Sequence, residues 1–175
     1  HTVIIDVLKV YTVWPRREHI AETRRLRVYN AFVLPSLLYN CEAWGLTAGN
    51  LSKVDVLHRK QLRCILGIKL QDKVSNERLY ERCEPCPVST LIKQRRRRMT
   101  GHILRMSPNT PARKAMNIYL TQDSRGRPWR PRKTLATSVA EDMREAGMTF
   151  TTVRDLGLAS ERARDKQAWI AMVYS

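Results

Sequence analysis

Residues 88–106 read VSTLIKQRRRRMTGHILRM, and the spacing inside this stretch decides the fold. Leu91, Ile92, Met99, Ile103 and Met106 recur at helical steps, so a helix through 88–106 turns them inward and carries Arg96, Arg97 and Arg98 mostly on its other faces. It stops before Ser107-Pro108, because a residue that precedes proline is pushed out of the helical region. The same period continues upstream. From about residue 20 to 46, Leu26, Tyr29, Val33, Leu37, Cys41 and Trp44 lie on one helical face, with Pro35 demanding a kink or a break into two helices.

Asn50 is placed to cap a second helix that runs to about Leu66, with Leu51, Val54, His58, Leu62 and Ile65 inward and Gly67 closing it. A short helix follows over 75–83, and Pro85 and Pro87 break the chain. Beyond the arginine-rich helix, TQDSRGRPWRPRK at 121–133 has two prolines, one glycine and a single large apolar residue, Trp129, which reads as a basic linker. Thr134 then caps a helix with Leu135, Val139, Met143 and Ala146 inward, stopped by Gly147. A short helix around Val153 and Leu156 and another over 160–173, anchored by Trp169, complete the chain. The opening block TVIIDVLKVYTV, at 2–13, is rich in β-branched residues and fits a strand or a helix end equally. The expected fold class is all-α.

Charge limits the function. Lys plus Arg number 32 against 16 Asp plus Glu, a formal net charge of +16. Such an excess repels itself in a compact state unless something anionic is bound, and nucleic acid is the natural counter-charge. A membrane surface also attracts basic segments, but no apolar run approaches the roughly 20 residues of a spanning helix. No small-residue cleavage site follows residues 2–13, so they are not read as a signal peptide. With His1 and no Met at its start, the chain is expected to be a piece of something longer. Cys41, Cys64, Cys83 and Cys86 lack the density of a disulfide framework and fit a reducing compartment.

The cations fall in clusters suited to phosphate oxygens: Arg24, Arg25 and Arg27; Arg59, Lys60 and Arg63; Lys93, Arg95, Arg96, Arg97, Arg98 and Arg105; and Arg125, Arg127, Arg130, Arg132 and Lys133. Any one cluster can be a solvated helix face, but several without matching acidic runs favour a strand-gripping surface. Trp129 can stack on an unpaired base or pin its loop to the helical body. Trp44 and Trp169 read as core, as do His58 and His102. Cys83-Glu84-Pro85-Cys86 has the spacing of half a zinc site without two further local ligands, so two idle thiols are the simpler reading and no metal is assigned. Two-metal phosphoryl transfer needs clustered carboxylates, yet no Asp-Asp pair occurs, and Glu141, Asp142 and Glu145 read as surface residues of one helix. No phosphate-cradling glycine loop occurs either.

Four strings in order, LRVYNAFVLPSLLYNCEAWGLT at 26–47, LHRKQLRCILGI at 57–68, RRRRMTGHILRM at 95–106 and GRPWRPRKT at 126–134, resemble the C-terminal part of reverse transcriptases from animal non-LTR (LINE-type) retrotransposons. Met99 and Leu135 stand where those proteins usually carry Trp. The resemblance implies a remnant of the preceding palm or connector at 1–19, a thumb-like helical domain at 20–120, the basic linker at 121–133 and a small helical lobe at 134–175. It also implies that the RNA-directed DNA polymerase centre, with its Mg2+, belongs to an upstream palm of the same polyprotein, so no activity and no cofactor are expected from this chain alone. The expected role is to grip template-primer duplex, element RNA or target DNA during target-primed reverse transcription, in the nucleus after a cytoplasmic ribonucleoprotein stage. The alternative is a domesticated helical protein-interaction module without polymerase activity.

Overall fold

The computed structural model describes residues 20–83, 86–121, 133–148 and 153–174. Among these, every regular element is helical, and the all-α expectation holds. The order is α1 (Glu22–Val28), a π-helical turn (Tyr29–Val33), α2 (Leu34–Leu37), α3 (Ala48–Leu66), α4 (Asn76–Cys83), α5 (Val88–Arg105), α6 (Pro111–Thr121), α7 (Leu135–Glu145), α8 (Val153–Arg164) and α9 (Lys166–Tyr174), with short 3-10 turns at Cys41–Ala43 and Leu70–Asp72. The chain forms two compact units, one from 20–40 with Gly49–Thr90, the other from Cys41–Ala48 with the residues from Leu91 onward. These units have other bounds than the lobes expected at 20–120 and 134–175. Leu104 of α5 and Met116 of α6 share one core with Val139, Met143, Leu156, Ala163 and Trp169, so α5 to α9 bury their apolar faces together. Residues 122–132 of the expected linker at 121–133, and the block at 1–19, lie outside the described residues.

In the first unit, Pro35 produces a π turn in a continuing helix. The Leu34 N–H reaches back five residues to the Tyr29 carbonyl, and Ser36 Oγ donates to the Phe32 carbonyl at 2.7 Å. The wider turn accommodates a residue that has no N–H to give. The helix ends at Leu37 and not near residue 46, with Asn40 in the left-handed region at φ 55°. Helix α3 begins at Ala48, so Asn50 sits inside it and does not cap it. Tyr29, Val33, Leu62, Ile65, Leu79 and Cys83 form the core.

That core encloses a polar cluster. His58 is fully buried, ring-stacked between Tyr29 and Tyr80, with its Nδ1 2.7 Å from Tyr29 Oη. Tyr29 Oη donates to Gln61 Oε1 at 2.7 Å, which leaves His58 as the donor in the other bond. Burial lowers the His58 pKa from 6.5 to about 4. Between those values the unfolded chain binds a proton that the folded one refuses, so stability rises with pH across the window. Acidification from pH 6.5 toward 4 is expected to cost about 1.4 kcal/mol per pH unit, measured by urea unfolding. His58→Gln should flatten that profile; an unchanged slope would refute the assignment.

The second unit is organised around α5. Arg96 and Arg97 face inward, which corrects the expectation that they project away from the core. Arg96 is 2% exposed and Asp142 of α7 is 4% exposed; Arg96 Nε lies 2.6 Å from Asp142 Oδ2. Arg96 Nη1 also donates to the Trp44 carbonyl at 2.9 Å, and Arg97 Nε donates to the Asp142 carbonyl at 3.1 Å. Asp142 is thus not a surface residue; burial pushes its carboxyl pKa up, and Arg96 opposes that shift. The Trp169 indole N–H donates to the Arg97 carbonyl at 3.1 Å, and the ring lies against Gly101, where a Cβ would run into it. Thr134 caps α7 by accepting from the Thr137 N–H, and Gly147 ends it at φ 74°, both as the sequence indicates. Asp165 Oδ1 accepts from the N–H groups of Gln167 and Ala168, so the last break falls there and not before Ser160.

Removing one partner of a buried ion pair leaves the other charge uncompensated. Asp142→Asn is expected to lower stability by about 3–5 kcal/mol in thermal or urea unfolding followed by circular dichroism. The double change Arg96→Met with Asp142→Leu should recover most of that loss.

Candidate nucleic-acid interface

The structure separates the predicted cations into those spent on the fold and those left at the surface. Arg25 is 8% exposed, and its Nη1 donates to the Ile65 carbonyl in the last turn of α3, where carbonyls lack helical donors. Like Arg96 and Arg97, it is buried and commits donors of its guanidinium to the interior. Arg63 is held between Asn76 Oδ1 at 2.9 Å and the Val74 carbonyl at 3.3 Å. Lys93 Nζ bonds both carboxylate oxygens of Glu145, at 2.7 and 2.9 Å, and Lys133 pairs with Glu141. Arg95 is half-buried and lowers the raised pKa of the buried Cys41 thiol.

What remains exposed in the first unit is Arg24 and Arg27 on one side of α1 and Lys60 on α3, with Arg59 half-buried. Helix α3 also shows Lys53, Val56, Leu57 and Lys60 exposed at steps of three and four, a single face with cationic ends and an apolar middle. In the second unit, Arg98, His102 and Arg105 are exposed on α5 at steps of four and three, which places them on one face. His102 therefore belongs to a basic surface stripe and not to the core. Arg98 Nη1 lies 3.5 Å from Tyr174 Oη, and Arg105 Nη1 donates to the Ala163 carbonyl at 3.1 Å, so both guanidiniums are steered while keeping donors for a ligand. Arg125, Arg127, Trp129, Arg130 and Arg132 lie outside the described residues.

Sequence reasoning missed α6 and, on it, Arg113, which is 8% exposed. The signal was present: Thr110-Pro111 is a helix start, with proline at the first position where its missing N–H costs nothing. Arg164, exposed at the end of α8, was missed because no neighbouring run draws attention to it.

The cysteines offer little reactivity. Burial pushes the Cys83 thiol up to about 11 and raises that of Cys86. Among the described residues no three His, Cys, Asp or Glu side chains gather as a metal site, and no helix is long and apolar enough to cross a membrane. In comparisons with known proteins, no family model, no curated protein and no solved structure matches the chain.

Proposed function

We propose that this chain is a non-catalytic nucleic-acid-binding portion of a retroelement reverse transcriptase, gripping RNA, DNA or the hybrid between them by charge and shape. The observation that carries the reading is the exposed stripe Arg98, His102 and Arg105 on α5, in a chain whose net charge is +16. A helix that presents two guanidiniums two turns apart on one face, with an imidazole between them, can follow a phosphate backbone without reading bases, since phosphate contacts position and base contacts specify. The ordered resemblance of residues 26–134 to the thumb and post-thumb region supports the parentage, with the chemistry and its Mg2+ assigned to an upstream palm of the same polyprotein. On this reading the chain works in the nucleus after a cytoplasmic ribonucleoprotein stage, and its partners are template-primer, element RNA and target DNA.

A second reading, a helical protein-interaction module, draws on Val28, Phe32 and Tyr39, whose side chains are exposed around α1, the π turn and α2. Arg98 separates the two readings better than the neighbouring arginines do, because charge reversal at Arg96 or Arg97 would strike the core.

Duplex binding should weaken steeply with salt, with a log–log slope near −5 for about six phosphate contacts. Arg98→Glu should lower affinity across all sequences and reduce the slope by about 1, without changing the melting temperature by more than a degree or two. Salt-independent binding in a fluorescence anisotropy titration rejects the nucleic-acid reading. A protein partner retained by Arg98→Glu after RNA binding is lost would favour the second reading.

A further inference from the structure

Where α5 ends and α6 begins, the second unit has a half-open cavity of about 420 Å³ lined by Arg105, Arg113, Arg164, Ser107 and Ser160 among others. Three arginines line it and no carboxylate residue does. Arg113 is the unusual member. It is 8% exposed, its Nη1 is buried with no hydrogen-bond partner among the described residues, and no salt bridge there involves it. The other buried arginines of this unit, Arg96 and Arg97, each have a carboxylate, that of Asp142 and that of Glu145.

A buried unpaired charge is costly, and proteins tolerate one where a ligand completes it. Geometry indicates which ligand. Arg113 is the third residue of α6, an 11-residue helix, and so stands in its first turn, at the positive end of the helix dipole. Arg105 gives one N–H to the Ala163 carbonyl and keeps the rest of its fork, and Arg164 is exposed and unpaired among the salt bridges of the described residues. The turn that carries the site is braced, with Thr110 Oγ1 donating to the Ser107 carbonyl at 2.8 Å and Ser160 Oγ to the Leu104 carbonyl at 3.0 Å. Planar guanidinium forks match the oxygens of a tetrahedral oxyanion in pairs, and burial lowers the Arg113 pKa in the direction that a bound anion would reverse.

We propose that this cavity is a phosphate oxyanion site built by Arg113, Arg105 and Arg164, and that it takes one phosphate group of the bound strand. The assignment of the strand as source rests on the nucleic-acid reading; the oxyanion chemistry does not.

The test uses the full chain. Inorganic phosphate, compared with chloride at matched ionic strength, is expected to raise the unfolding midpoint by roughly 2–4 °C. Arg113→Met should abolish that response while folding without phosphate at least as well as the parent, since it removes an unpaired buried charge. Should Arg113→Met fail to fold, Arg164→Met, made at an exposed position, is expected to cut the response by at least half. No phosphate response in the parent chain, or the same response in both variants, overturns the site. Oligonucleotide binding then identifies the source. A roughly tenfold loss of RNA affinity in the variant that loses the phosphate response supports a strand phosphate. Unchanged RNA affinity in that variant supports a free phosphate ion and overturns the strand assignment. Absence of RNA binding in the parent chain, with the phosphate response intact, rejects the nucleic-acid reading and leaves the oxyanion site standing.

Discussion

The ion pair between Arg96 and Asp142 is the constraint on which the second unit depends. Two charges removed from water repel the interior unless each finds its complement, and here the complement is shared: the carboxylate takes Arg96, the same guanidinium satisfies the Trp44 carbonyl, and the Asp142 carbonyl takes Arg97. Trp169 then bonds the Arg97 carbonyl and lies on Gly101. A run of arginines that looks like a solvated face thus contains a buried fastening for α5, α7 and α9. The paired charges and the buried apolar residues hold α5 in the same rotation about its axis.

This rotation also decides what faces solvent. With Arg96, Arg97, Thr100 and Leu104 inside, helical geometry turns Arg98, His102 and Arg105 outside. The internal pair and the external stripe are two sides of one helix, so the surface proposed to hold a phosphate backbone is placed by the same contacts that hold the unit together. In the first unit a comparable division of labour occurs on α1, where Arg25 closes the end of α3 while Arg24 and Arg27 stay exposed.

Much of the fold was legible in the sequence. Apolar periodicity located α3, α5 and α7, chain breakers bounded α4, and Thr134 and Gly147 marked the ends of α7 through ordinary capping chemistry. Periodicity could not assign the arginines, because a long side chain with five donors can serve the interior or the solvent, and the choice depends on a carboxylate 46 residues away. The division of the chain was obscured for the same reason: a basic, proline-containing stretch at 121–133 looks like a boundary, whereas Leu104 and Met116 share their core with residues beyond it. Arg113 went unread because a single arginine in PARK gives no local hint that it is buried without a carboxylate.

The separation of Arg96 from Asp142 bears on how the protein is made. During synthesis Arg96 leaves the ribosome 46 residues before Asp142, so the inner face of α5 stays without its counter-charge until most of the chain has emerged. Until then hydration and self-repulsion of the arginine run keep that face open. The arrival of Asp142 draws Arg96 and Arg97 into the core. The basic surface left to the finished protein is the part of the run that the core did not take.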